Sequence, residues 1–332
     1  MESGHGNMIE TAYTGHSSQL FDVRRSRLVG GKADGMEVID IWNGGNLSLT
    51  LLPSRCCDIY SVRFRGNSMA FHTPAGLVHP AFYQENRWLR SFAGGFLTTC
   101  GLQNVGAADP IREECGTHGR IANTPSDNTA IQLSEDSQSV RVTAEMQEAV
   151  LFGAKLRLRR TLEVRRGCDE ILFTDTVTNF GWKEEPLSML YHFNMGYPLI
   201  DADARVVIPS HTVVPRNAHA ASGLTDWQRL REPEPDFEEM CYYHFLRENY
   251  AGIDSPNLNT RVRIHFDSPD GVLDRLVEWK MMGCGDYVVG LEPISCTLEG
   301  QSDAESNGSL KHIAPQSSIT NHFRITFGGL TE

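Results

Sequence analysis

The sequence predicts an all-β protein, built as one large antiparallel β-sandwich with minor helices. Short segments of alternating apolar and polar residues recur along the chain, and tight turns such as Asn-Gly-Gly-Asn at 43–46 separate them. No sustained helical period, internal repeat or long linker rich in proline and glycine interrupts this pattern. We therefore expect a single sandwich domain over residues 1–332, with a loosely ordered segment at 1–17.

Strand-like segments follow one another in the first half of the chain. They are rich in leucine, β-branched and aromatic residues, and they cover residues 20–27, 38–42, 47–52 and 60–64. A turn is expected where the sequence reads Arg-Gly-Asn at 65–67. Only residues 80–89 and 237–246 are helix candidates, and both are short.

The second half of the chain shows the same short alternating segments. Its predicted strands cover residues 141–147, 151–164, 168–179, 205–209, 261–266, 275–280, 287–293 and 318–327. Residues 155–166 are unusually rich in arginines, which alternate with leucines. This alternation predicts a strand with an apolar inner face and a solvated charged face, rather than a phosphate or nucleic-acid site.

The charge balance argues against a nucleic-acid partner. The 42 acidic and 30 basic side chains give a net charge of −12, whereas a nucleic-acid-binding protein usually presents a basic face. An acidic chain suits a neutral substrate. Because residues 1–14 lack the apolar core of a signal peptide and no apolar run reaches about 18 residues, we expect a cytoplasmic protein without a membrane partner. The eight cysteines show no Cys-x-x-Cys spacing and are expected to be free thiols.

Residues 191–198, which read Tyr-His-Phe-Asn-Met-Gly-Tyr-Pro, are the most informative stretch. They end the strand that follows the polar loop at 182–186, so His192 and Asn194 are expected at a fixed place on a rigid sheet. Gly196 and Pro198 shape the backbone beyond them. A sheet protein presents a binding site in this way.

Two other segments carry candidate functional groups. Glu292 ends an apolar strand just before Pro293, where a carboxylate is costly to bury unless it is paired or its pKa is tuned. His118 lies in a loop between two glycines, and a glycine-dense stretch covers residues 88–106. Each feature alone also has a structural explanation, since a lone histidine is more often a satisfied, partly buried residue than a catalyst.

Taken together, these motifs resemble those of the aldose 1-epimerases, the galactose mutarotase-like superfamily. The similarity lies in the strand ending in Asn-Phe-Gly at 179–181, the segment 191–198, the Thr-His-Gly-Arg at 117–120 and the Leu-Glu-Pro at 291–293. The order His, His, Glu is also that of the family. Trp-Leu-Arg-x-Phe-x-Gly-Gly at 88–95 and Thr-Cys-Gly-Leu at 99–102 are similar to an uncharacterised bacterial branch. The early Gly-Arg-x-Ala-Asn-Arg motif of the galactose enzymes is missing, which leaves the substrate open.

The resemblance implies a sugar substrate, free or substituted, whose anomers are interconverted by acid–base ring opening without a cofactor or a metal. Glu292 would be the base at the anomeric hydroxyl, His192 the acid at the ring oxygen, and His118 a ligand of the ring oxygen or of a hydroxyl beside it. Further substrate-binding candidates are three arginines for hydroxyls, a carboxylate or a phosphate, two tryptophans as an apolar platform, and three other polar residues: Arg55, Arg90, Arg120, Trp88, Trp279, Gln103, Asn194 and Lys280.

Two alternatives stay open at this point. Two histidines and a glutamate could instead bind a metal, as in a cupin-like sugar isomerase, although the sequence lacks the His-x-His pair typical of a cupin ligand strand. The protein could also be a carbohydrate-binding module without catalytic activity.

Overall fold

A computed structural model of the chain describes residues 12–112 and 115–331. Residues 1–11, which make up most of the N-terminal segment predicted at 1–17, lie outside the described residues. Within the described ranges antiparallel β-strands make up most of the regular secondary structure, which confirms the predicted fold class. The strands are β1 Asp22–Arg27, β2 Glu37–Trp42, β3 Leu47–Leu52, β4 Asp58–Phe64, β5 Asn67–Ser68, β6 Leu97–Leu102, β7 Asn128–Leu133, β8 Ser139–Ala149, β9 Lys155–Arg165, β10 Glu170–Asn179, β11 Glu185–Gly196, β12 Arg205–Val207, β13 Ser210–Pro215, β14 Met240–Leu246, β15 Tyr250–Ser255, β16 Thr260–Asp267, β17 Arg275–Gly283, β18 Asp286–Ile294, β19 Lys311–Ile313 and β20 Ser318–Gly328.

Three sheets are formed by these strands. Strands β1 to β5 follow one another in a five-stranded sheet, and an eight-stranded sheet has the order β12-β15-β16-β20-β10-β9-β8-β7. A seven-stranded sheet has the order β13-β14-β17-β18-β11-β19, with β6 also paired to β11. One connected core includes buried side chains of all three sheets, and the single domain over residues 1–332 stays a prediction.

Helices are short and lie in the connections. The α-helices are α1 Ala218–Ala221 and α2 Gln301–Ser306, and the 3₁₀-helices are Ser17–Gln19, Gly31–Ala33, Pro80–Phe82, Glu85–Arg90, Ile121–Asn123 and Leu224–Asp226. The helix candidate at 80–89 is therefore two separate 3₁₀-helices, Pro80–Phe82 and Glu85–Arg90.

The prediction of a helix at 237–246 is wrong. Residues 240–246 form β14, in which the aromatic and β-sheet-favouring sequence Tyr-Tyr-His-Phe pairs with β13 and β17. The strand predicted at 151–164 begins only at Lys155, because residues 150–153 form the turn of the β8–β9 hairpin and Phe152 has a left-handed φ of 65°. Strands β5, β6, β7, β13, β15 and β19 were not predicted either, since their sequences are short, polar or irregular.

The alternation predicted for residues 155–166 is confirmed, because the leucines of β9 are buried and most of its charged residues face outward. Arg160 is the exception. Its side chain occupies an inward position and is 1% exposed.

Arg160 connects the three sheets through its guanidinium. It donates two hydrogen bonds to Asp175 of β10, at 2.9 and 2.6 Å, and one to Asp58 of β4, at 2.7 Å. Its Nη2 also donates to Thr99 Oγ1 of β6 at 2.8 Å, and Thr99 in turn donates to Asp58 through its backbone and its hydroxyl. A buried charge of this kind is stable only when its partners are all present.

In the described ranges, no helix is both long enough and apolar enough to cross a membrane. All eight cysteines lie within the described residues and are free thiols, as predicted.

The buried arginine yields a stability prediction. Replacing Arg160 by methionine keeps the apolar stem but leaves Asp58 and Asp175 buried without a counter-charge, so the free energy of unfolding should fall by about 3–5 kcal/mol. Urea denaturation followed by tryptophan fluorescence measures this difference. The matched control is Arg159→Met on the same strand, where the side chain is 60% exposed and the change should stay within about 0.5 kcal/mol. Equal losses of unfolding free energy in the two variants would contradict a stabilising role of the buried network.

Candidate functional site

A cleft of about 510 Å³ opens on the face of the seven-stranded sheet that points away from the main core. Strands β11, β14, β17 and β18 form its floor, and the segments around residues 87–92, 106–107 and 117–118 form its walls. Polar side chains at the floor are thus carried by strands, whereas those at the rim are carried by loops. A rigid floor with loop walls is a common arrangement for a binding site.

Strand register brings His192 and Glu292 together. In β11 the side chains of Tyr191 and Phe193 point into the core, so His192, between them, points into the cleft. The antiparallel register that pairs Phe193 with Leu291 places His192 directly opposite Glu292 of β18. Directly opposed residues of neighbouring strands have side chains in contact distance.

The two side chains form a buried pair. His192 Nε2 lies 3.3 Å from Glu292 Oε1, and the residues are 5% and 2% exposed. Burial disfavours charge on both groups, and it raises the pKa of Glu292 well above its ordinary value while it lowers the pKa of His192 well below its own. Burial therefore favours the neutral form of both groups, a protonated carboxyl beside a neutral imidazole, in which the pair holds one titratable proton.

Asn194 holds the backbone that carries His192. Its side-chain amide donates to the carbonyl oxygens of Gly95 and His192, both at 2.9 Å, and the residue is fully buried. Among the described residues, neither its amide oxygen nor His192 Nδ1 has a hydrogen-bond partner. The Asn194 side chain nevertheless acts to raise the His192 pKa. This effect is smaller than that of burial, so the imidazole stays neutral.

Gly290 provides the space in which the Glu292 carboxylate sits. A Cβ atom at this position would lie 2.4 Å from Glu292 Oε1 and 3.0 Å from Trp279 Cβ. Any side chain at position 290 would therefore displace the carboxylate or the tryptophan. The glycine is needed for close approach and not for its backbone angles.

His118 forms one wall of the cleft. Its backbone is left-handed, with φ of 55°, and is fixed by hydrogen bonds to Gly101 and Gly106. The Gly106 amide also donates to His118 Nδ1 at 3.3 Å, so Nε2 carries the proton of the neutral ring. Burial, together with the charge of Arg216, lowers the His118 pKa to about 4. The ring is 5.7 Å from that of His192.

Aromatic rings complete the walls. Trp88 stacks on Phe92 at 4.5 Å between ring centroids and lies 4.6 Å from the His118 ring. Trp279 meets His192 edge-on at 5.3 Å, and its indole nitrogen donates to Glu239 at 2.7 Å. The cleft thus offers apolar faces beside the polar pair, an arrangement suited to the apolar face of a sugar ring.

The structure brings together six of the predicted site residues. His192, Glu292, His118, Trp88, Trp279 and Arg90 all line the cleft. Asn194 lies behind His192 and holds its backbone.

The four other predicted residues do not line the cleft. Arg55 is buried elsewhere and donates to the carbonyl of Val78, and the Gln103 carbonyl accepts from Gln301. Arg120 is exposed outside the cleft. Lys280 follows Trp279 on β17 and so points to the opposite face, where it donates to backbone carbonyls of residues 226–229.

Sequence reasoning missed Arg87, Arg216, Glu239 and Cys241, which also line the cleft. Arg216 follows β13, a strand that was not predicted. Glu239 and Cys241 flank the start of β14, which was interpreted as a helix. A correct assignment of β14 as a strand paired with β17 would have placed Cys241 next to Trp279.

Among the described residues, no group of three or more histidine, cysteine, aspartate and glutamate side chains could hold a metal ion.

Comparison with solved structures identifies the fold class. A candidate aldose 1-epimerase from Klebsiella pneumoniae subsp. pneumoniae superposes with a TM-score of 0.87 at 25% identity, covering 94% of this chain and 86% of the other. A galactose mutarotase-like protein from Clostridium acetobutylicum gives 0.68 at 14% identity, covering 94% and 100%. A galactose 1-epimerase from Lactobacillus acidophilus gives 0.59 at 14%, covering 93% and 99%. The protein therefore has the galactose mutarotase-like sandwich fold.

Within this fold class, the chain belongs to the family described as domain of unknown function DUF4432, whose model matches residues 33–327. No curated protein matches the sequence.

The buried pair also predicts a pH-dependent change in stability. Unfolded chains lose the Glu292 proton near the ordinary carboxyl pKa of ~4.3, whereas the folded protein holds it to higher pH, so stability declines as pH rises above ~4.3. Glutamine at position 292 carries no such penalty. Glu292→Gln should thus raise the free energy of unfolding at pH 7, with the gain shrinking towards pH 4.

Urea denaturation between pH 4 and pH 8 measures this gain. The control is Glu184→Gln, at an exposed position in the loop before β11. A Glu292→Gln variant that is less stable at pH 7, or a gain independent of pH, would contradict the assignment of a raised pKa.

Proposed function

We propose that this protein is an aldose 1-epimerase-like enzyme that interconverts the anomers of a sugar by acid–base ring opening. The observation that carries the proposal is the His192–Glu292 contact of 3.3 Å at the floor of the cleft, with the pKa values of the two groups shifted in opposite directions. Neighbouring titratable groups whose environments separate their pKa values are typical of an acid–base pair. The likeness to the Klebsiella protein supports the same reaction class.

The chemistry needs one base and one acid. Opening a cyclic hemiacetal removes a proton from the anomeric hydroxyl and delivers one to the ring oxygen, and the aldehyde then rotates and recloses. The pair carries one proton. Transfer of that proton from Glu292 to His192 gives a carboxylate base and an imidazolium acid, so the pair can remove one proton and supply another without an outside donor.

The other cleft residues have binding roles in this proposal. His118, with a proton on Nε2, donates a hydrogen bond to the ring oxygen or an adjacent hydroxyl. Its pKa of about 4 keeps it neutral at physiological pH, so it does not compete as an acid. Trp88 and Trp279 provide apolar surfaces for the sugar ring.

Removing either member of the pair should abolish most of the catalysed exchange. Positioned acids and bases contribute ~10²–10⁴-fold each, so Glu292→Gln and His192→Asn should each lose activity of that order. The double variant should be about as active as the less active of the two single variants, because acid and base act in one step. His118→Ala should weaken sugar binding as well as rate.

Anomer-resolved NMR exchange over a panel of free sugars measures these rates. The matched control is Glu184→Gln, at an exposed position in the loop before β11 and outside the cleft, which should keep the activity. Unchanged exchange in Glu292→Gln, on a sugar that the wild type turns over, would refute the mechanism. Sugar binding without any exchange in the wild type would instead favour a carbohydrate-binding module.

Cofactor independence is a separate prediction. Because ring opening is proton transfer, exhaustive treatment with a chelator should leave the exchange rate unchanged. The measurement is the same NMR assay before and after chelation. Activity that disappears on chelation and returns with a divalent ion would favour a metal-dependent isomerase.

A further inference from the structure

The charge of the cleft differs from that of the whole chain. The protein carries a net charge of −12, yet three arginines, Arg87, Arg90 and Arg216, line the cleft. The carboxyl groups that line it are Glu239 and Glu292. The rim of the cleft therefore carries the positive charges of Arg87 and Arg90 within an acidic protein.

Arg87 and Arg90 stand at the rim on either side of Trp88 and Leu89. The backbone of this 3₁₀ segment is kinked at Arg87, with φ of −140° and ψ of 44°, and all four consecutive residues line the cleft. Both arginines are exposed, and no described side chain forms an ion pair with either of them. Their charges are available to a ligand.

Arg216 lies deeper and is held in place. It donates to Glu299 through Nε at 2.7 Å and through Nη2 at 3.1 Å, which leaves Nη1, 4.0 Å from Glu239, as the less engaged nitrogen. Its charge helps burial to lower the His118 pKa, and at Glu292 it opposes the larger rise in pKa that burial causes. Because Glu299 pairs with Arg216, the charges most available to a ligand are those of Arg87 and Arg90 at the rim.

We propose that the sugar substrate carries an anionic group, a carboxylate or a phosphate, which Arg87 and Arg90 bind while the anomeric centre lies at His192 and Glu292. This inference rests on the proposed function and adds the substrate class. Arginine is suited to the role because its planar guanidinium matches both groups in a bidentate manner. The expectation of a neutral substrate, drawn from the net charge, is replaced by one drawn from the local charge of the cleft.

The test compares matched sugars that differ at carbon 6: glucose, glucuronate and glucose 6-phosphate. The wild type should show a kcat/KM for anomer exchange at least about tenfold higher for one of the anionic sugars than for glucose. Arg87→Gln and Arg90→Gln should each lower that value by about tenfold and change the value for glucose by less than about twofold. Raising the ionic strength should reduce the exchange of the anionic sugar alone.

Arg141→Gln serves as the control, since it removes an exposed arginine from the outer face of the eight-stranded sheet. Preference for glucuronate over glucose 6-phosphate assigns a carboxylate site, and the reverse assigns a phosphate site. Exchange of glucose at least as fast as that of both anionic sugars would overturn the inference while leaving the proposed function intact.

Calorimetric measurement of the binding of the same three sugars distinguishes a failure of the proposed function from a failure of the proposed anion preference. If no sugar exchanges, the proposed function fails, and the anion preference is decided by binding alone. Tighter binding of an anionic sugar, lost in Arg87→Gln and Arg90→Gln, would still support the inference. Equal binding of all three sugars would overturn it.

Discussion

One buried arginine holds together the parts from which the cleft is built. Arg160 joins Asp58 of the five-stranded sheet, Asp175 of the eight-stranded sheet and Thr99 of β6. Strand β6 pairs with β11, where Thr98 and Thr99 stand opposite His192 and Tyr191. The position of the cleft floor thus depends on a charge that is stable only while both carboxylates and the threonine are in place. The site is therefore built on a rigid junction of three sheets.

At the site itself, burial leaves polar groups with few partners, in contrast to the Arg160 network. The Arg160 network is fully paired, whereas His192 and Glu292 have each other and few other polar partners. Their pKa values shift in opposite directions because neither charge is solvated. A pair that holds one titratable proton can act as acid and base together, and the stability that it costs is tolerated where function requires it. The arginines at the rim add a positive potential that the composition of the chain does not suggest.

Sequence pattern predicted the fold class and most strands, because period-2 alternation reports directly which face is buried. The phase of β9 would also have identified Arg160 as an inward residue, but alternation of arginine and leucine was interpreted as a solvated face. The helix assigned to 237–246 concealed Glu239 and Cys241. The resemblance supplied His118, His192 and Glu292. Arg55, Gln103, Arg120 and Lys280 do not line the cleft, since whether a polar residue reaches a cleft depends on tertiary contacts that a single sequence does not contain.

The central claim is that His192 and Glu292 share one proton and perform the acid–base step together. The measurement that tests it most directly is kcat/KM for anomer exchange as a function of pH, after subtraction of the uncatalysed rate. A pair with ordinary pKa values would keep its single proton only between ~4.3 and ~6.5. Because burial raises the Glu292 pKa and lowers the His192 pKa, the account expects the rate to fall on the alkaline side as Glu292 ionises, above ~4.3, and on the acid side as His192 is protonated, below ~6.5. An acid limb at ~4.3 together with an alkaline limb at ~6.5, the values of an ordinary carboxyl and imidazole, would contradict it.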